Sequence, residues 1–135
     1  MHLKILLSTA AIYLALVGLG LIFAPQAFGV GAVPADASDL LISYLRLFGS
    51  PMLGVAAVDW LARNTEPSAA RDAIILGNIV GFGAIASLDL WGLLSGARAL
   101  TKLFFVIHLL FALAFIRAWR MDRSANAVDS VAVRT

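Results

Sequence analysis

The sequence predicts an all-α integral membrane protein, a four-helix up-down-up-down bundle, and three observations carry that prediction. First, 61% of its 135 residues are hydrophobic and 13% are charged, with a mean hydropathy of +0.94. An ordinary soluble domain is about half apolar and about a quarter charged. Second, four apolar runs come close to the ~20 residues that a helix needs to cross a bilayer core. Third, short polar breaks with turn chemistry separate the runs. A chain of this length cannot enclose so much apolar surface inside one core, so its exterior must face lipid as well.

The first span runs from Ile5 to Ala24 and contains no charge. His2 and Lys4 precede it, as basic residues precede a secretory signal. A signal core has about 7 to 15 apolar residues, however, and Pro25 would spoil the small-x-small pattern before a cut after Ala27. The run therefore reads as a span. The second covers about 40–62 and contains Arg46 and Asp59; the third covers 73–94 with Asn78 and Asp89; the fourth covers 100–119 with Lys102, His108 and Arg117. The break PQAFGVGAVPADASD is rich in proline, glycine and aspartate, RNTEPSAARD separates the second span from the third, and SGAR is the shortest link. Links this short make neighbouring spans antiparallel, and each helix satisfies its own backbone groups in lipid. Residues 1–120 thus form one four-span domain, and the polar stretch 121–135, MDRSANAVDSVAVRT, reads as a disordered cytoplasmic tail.

Basic residues set the orientation, because Lys and Arg are retained on the cytoplasmic side. With the N-terminus inside, Lys4, Arg63, Arg71, Arg117, Arg120, Arg123 and Arg134 are cytoplasmic, against Arg46, Arg98 and Lys102 on the outer side. Seven against three places both termini in the cytoplasm, with the chain in the inner membrane. Trp60, Trp91 and Trp119 fall near span ends, where amphipathic rings prefer the headgroup level.

Ionisable groups inside a span cost about 2.5 to 3.5 kcal/mol each at the centre and so ask for a partner or a wet cavity. At about 1.5 Å per residue, Arg46, Asp89 and His108 lie about 9, 8 and 12 Å below the outer surface, on three different helices. Two readings follow. In one, Arg46 and Asp89 form an ion pair that fixes helix register, and His108 bonds to a serine or a backbone carbonyl. In the other, Arg46, Asp89, His108 and Ser50 line a pocket for an anionic or carbonyl-bearing lipophilic ligand. Helical phase groups Ser43, Arg46, Gly49, Ser50 and Leu53 on the second span, Asn78, Gly81, Ile85 and Asp89 on the third, and Thr101, Phe104, His108, Ala112 and Phe115 on the fourth. Gly77, Asn78 and Gly81 read as packing residues, since small-xxx-small spacing lets a neighbouring backbone approach. Pro51 removes one backbone donor and predicts a packing kink, helped by Gly49. Asp59 and Arg63 read as an i,i+4 pair at the headgroup level, and Tyr13 as a core aromatic.

Several functions are excluded or left without support. The absence of cysteine rules out disulfides, thiolate metal sites and thiol redox chemistry. The chain has no P-loop, no dinucleotide fingerprint and no HExxH. No metal site, cofactor or catalytic residue is assigned. The basic residues sit at span ends instead of forming a stripe, so nucleic acid is not an expected partner.

The segments LRLFGSPMLG, LDLWGLLSG and KLFFVIHLLFALAF, with an Arg-x-x-Gly feature at Arg46 and Gly49, resemble the DoxX-like group of small four-helix bacterial membrane proteins. The resemblance covers most of the chain up to Arg120. It implies a membrane accessory subunit of a quinone-linked oxidoreductase complex, without the cysteines of a thiol-active member. The preferred reading is a protein that binds a small lipophilic ligand or serves as an accessory subunit, with the bilayer as its surroundings and a homo-oligomer as one arrangement. The alternatives are a membrane enzyme acting on a lipid or isoprenoid-like substrate, with His108 as acid or base and Arg46 stabilising charge, and a small transporter working as a dimer.

Overall fold

The computed structural model describes the backbone of residues 3–132 and the side chains of residues 3–123. Its elements are α1 (Leu3–Phe23), α2 (Pro25–Phe28), α3 (Asp39–Ala62), α4 (Ala69–Leu94) and α5 (Leu100–Ala132), and the described residues contain no strand. Four helices are long and apolar enough to cross a membrane: Leu3–Phe23, Asp39–Ala62, Ala69–Leu94 and Leu100–Arg123. The apolar runs thus became helices within a few residues of their expected limits. Two compact units divide the chain, one comprising Leu7–Arg63 and the other Met1–Leu6 with Asn64–Thr135.

In the Leu7–Arg63 unit, α1 ends before Pro25, which starts the single turn of α2 at a position where its missing N–H costs nothing. The following stretch is held by local bonds. The N–H groups of Gly29 and Val33 donate to the carbonyls of Pro25 and Gly29 at 2.9 and 2.8 Å, and Gln26 Nε2 donates to the carbonyl of Ala35 at 3.3 Å. Ser38 then caps α3, its hydroxyl accepting from the Leu41 N–H at 3.3 Å. From there α3 continues through Pro51 as one element. Helices α1 and α3 meet backbone to backbone at Gly18 and Gly49: a Cβ at Gly49 would stand 2.6 Å from the Gly18 carbonyl oxygen, and one at Gly18 would stand 2.9 Å from that of Gly49. Glycine is required here because backbone meets backbone.

In the other unit, Ser68 caps α4 by accepting from the Arg71 N–H at 3.2 Å. The helix stops in a Schellman turn. Gly96 takes the left-handed conformation (φ +83°), and the N–H groups of Gly96 and Ala97 donate to the carbonyls of Leu93 and Gly92 at 3.3 and 2.9 Å. This turn folds α5 back along α4. Phe82 stacks on Phe111 with ring centroids 4.6 Å apart and on Phe115 at 6.1 Å, and both Phe82 and Phe115 are buried.

The buried stripe of α4 is Arg71, Ile75, Asn78, Phe82 and Ala86. That stripe corrects the expected role of Gly77 and Gly81. Both are exposed, and a Cβ at either would meet nothing within 4 Å. Asn78 keeps its place on the packed face and donates to the Ile74 carbonyl at 3.1 Å. A rotation of about 100° per residue carries Gly77 off that face.

A second difference concerns the end of the chain. The sequence predicts a disordered tail from 121, yet α5 runs on to Ala132. No glycine or proline interrupts residues 121–132, and Asp122 pairs with Arg71 of α4, which anchors the first turn of the extension. Residues 133–135 of the expected tail lie outside the described residues.

Candidate functional site

The α4 to α5 hairpin carries an ionisable pair near its closed end. Asp89 extends the buried stripe of α4, three residues beyond Ala86 and five before the last residue of the helix. His108 shares a buried face of α5 with Ala112 and Phe115, at spacings of four and seven residues. The Schellman turn sets the register that brings them together. His108 Nδ1 lies 2.6 Å from Asp89 Oδ2, with the two side chains 10% and 18% exposed. Phe104 lies nearly parallel to the imidazole and Phe82 is tilted against it, each with its centroid 6.1 Å away. The pair therefore sits in an aromatic collar, where its electrostatic coupling is much stronger than in water.

This geometry fixes the imidazole chemically. An ionised carboxylate beside Nδ1 holds a proton on that nitrogen, which makes Nε2 the accepting edge of the neutral ring. Once the ring is protonated, both nitrogens donate and the carboxylate balances the charge. Asp89 thus orients His108. Such a pair can accept, donate or relay one proton.

A second ionic contact closes the open end of the same hairpin. Arg71, buried at the start of α4, pairs with Asp122 of α5 and also donates to the Thr65 carbonyl at 3.0 Å. Eighteen residues of helix, about 27 Å, separate Arg71 from Asp89 along α4. The contact between Arg71 and Asp122 links residues 51 apart in sequence, and no local spacing signals it.

The other expected site residues fall elsewhere. Arg46, Ser50 and Pro51 belong to α3, in the Leu7–Arg63 unit, and all three are exposed. Asp89 meets His108 within its own unit. Arg63 departs from its expected partner Asp59: its guanidinium lies 3.8 Å from the centroid of the Trp60 ring and donates to the Trp60 carbonyl. Asp59 is completely buried. Among the described residues, no group of three or more His, Asp or Glu side chains is arranged to hold a metal ion.

The chain matches no known protein family, no characterised protein and no solved structure. Fold and site define only a class: an all-α chain with four helices of membrane-crossing length and a buried pair of histidine and aspartate.

Proposed function

We propose that this chain is a multi-pass protein of the inner membrane that crosses it four times, up and down, with both termini in the cytoplasm. In this reading it binds a small lipophilic molecule or serves as an accessory subunit that does so. The observation that carries the reading is the contact of His108 with Asp89 at 2.6 Å inside an aromatic collar. Ionisable residues at membrane depth are rare and mark ligand or proton pathways by default. The pair suits a ligand with a carbonyl or hydroxyl group on an apolar body, whose polar group would exchange a hydrogen bond with the Nε2 edge of His108. The resemblance to the DoxX-like group points the same way, toward a quinone-linked complex.

Small molecules retained by the protein after gentle purification into nanodiscs test the binding reading. Mass spectrometry is expected to find a lipophilic species beyond the bulk lipids. His108→Gln should reduce its occupancy at least about tenfold, the worth of one charge-assisted hydrogen bond, with the amount of inserted protein unchanged. Equal occupancy in the variant, or no such species in the wild type, sinks the reading.

Topology can be tested separately, because the chain has no cysteine of its own. A single cysteine in place of Ala37, between α2 and α3, or of Ser95, after α4, should react with an impermeant maleimide in intact spheroplasts. One in place of Thr65 should react only after lysis. The reverse pattern would invert the proposed orientation.

A further inference from the structure

The Leu7–Arg63 unit carries an open groove of about 290 Å³ whose lining includes Ala11, Ala15, Leu53, Ala56, Ala57 and Trp60. The concavity arises because four of these residues have side chains that end at Cβ. No charged side chain lines it. From Leu53 to Trp60 it follows α3 for seven residues, about 10 Å, which is less than two turns of a partner helix. At the Trp60 end the Arg63 guanidinium is held over the indole ring, 3.8 Å from its centroid. An apolar trough that ends at a cation and an indole matches one kind of molecule in charge and in shape.

We propose that this groove is a binding site for an anionic phospholipid, with an acyl chain lying along the alanines and the headgroup phosphate on Arg63. A guanidinium offers a planar fork of donors to phosphate oxygens. The Trp60 ring that holds it also presents an indole N–H, suited to an ester oxygen at headgroup level. Trp60 lies two residues before the end of α3, so the groove leads from the headgroup level toward the membrane interior. The proposal rests on the reading of α1 and α3 as membrane spans and is independent of the contact between His108 and Asp89.

Native mass spectrometry of the full chain, released from nanodiscs of phosphatidylcholine with one-fifth phosphatidylglycerol, tests it. The wild type should retain phosphatidylglycerol in preference to phosphatidylcholine by about fivefold, the worth of one interfacial arginine. Arg63→Gln should remove the preference. Ala57→Leu, at an exposed position inside the groove, should reduce retention of both lipids. Equal retention of the two lipids by the wild type overturns the proposal, as does an Ala57→Leu variant that holds lipid normally. Loss of a dimer on Ala57→Leu also overturns it, since the groove would then seat a second copy. Failure of the membrane reading itself would show differently, as protein released from membranes by alkaline carbonate.

Discussion

Gly49→Ala is expected to destabilise the Leu7–Arg63 unit by about 3 kcal/mol, at the upper end of what overpacking usually costs. The added Cβ would stand 2.6 Å from the Gly18 carbonyl oxygen and 2.7 Å from Ile22 Cγ1, with Leu21 Cβ at 3.3 Å. A flexible side-chain tip could rotate away, but a backbone carbonyl cannot move unless α1 and α3 separate at this level. In the proposed membrane setting, apolar burial supplies little net force between helices, so close backbone packing carries a larger share of their association than it would in water. Gly77→Ala is the matched control, because it adds the same single carbon where nothing lies within 4 Å. It should be neutral or gain up to about 1 kcal/mol from helix propensity. Unfolding in mixed micelles with increasing SDS reads both changes. Equal effects at the two positions would show that the approach of Gly18 to Gly49 does not hold the unit together.

The pair of glycines shows where the sequence stopped being legible. Gly49 was visible as a small residue on the same side of its helix as Ser43 and Ser50, and its proximity to Pro51 suggested bending. Its true role needs the position of α1, which no pattern within α3 encodes. The reverse happened on α4. The spacing of Gly77 and Gly81 satisfies a packing motif, but the phase of a helix has to be known to within one residue, and Phe82 and Ala86 took the packed face instead. Span limits were legible because they depend only on a run of apolar residues being long enough to cross a bilayer.

The site was legible in the same partial way. Rise per residue put Arg46 and Asp89 at one level and His108 about 4 Å deeper, and phase put His108, Ala112 and Phe115 on one face. The contact of Asp89 with His108 depends on helix rotation and is not encoded in depth. Two polar residues were misjudged because their neighbours in sequence offered an easier account. Arg63, four residues after Asp59, looked like its ion-pair partner, yet its guanidinium found the Trp60 ring. Asp122 looked like part of a solvated tail, yet it anchors that stretch to Arg71.

Replacing Asp89 and His108 singly and together should separate a structural role from a binding one. Asp89→Leu leaves the imidazole in an aromatic collar without its carboxylate, and His108→Leu leaves a carboxylate there without its donor. Each should destabilise the hairpin by about 3 kcal/mol, since the surviving group keeps its desolvation cost and loses its compensation; the 18% exposure of Asp89 favours the lower end of the 3 to 5 kcal/mol range for broken buried pairs. The double variant presents two leucines to Phe82 and Phe104, and apolar replacements of buried pairs are often neutral or stabilising. It should therefore return to within about 1 kcal/mol of the wild type, a coupling of about 5 kcal/mol that exceeds the 0.5 to 3 kcal/mol usual for residues in contact, because each single variant leaves an uncompensated buried group. Asp122→Asn, about 27 Å away along α4, should add independently to all three variants. Recovered stability together with loss of the co-purifying molecule would mean that the pair is retained for what it binds, because leucines would hold the hairpin equally well. A double variant as unstable as either single one would mean that the hydrogen bond between the helices is what the fold needs from these residues, and the binding reading would lose its main support.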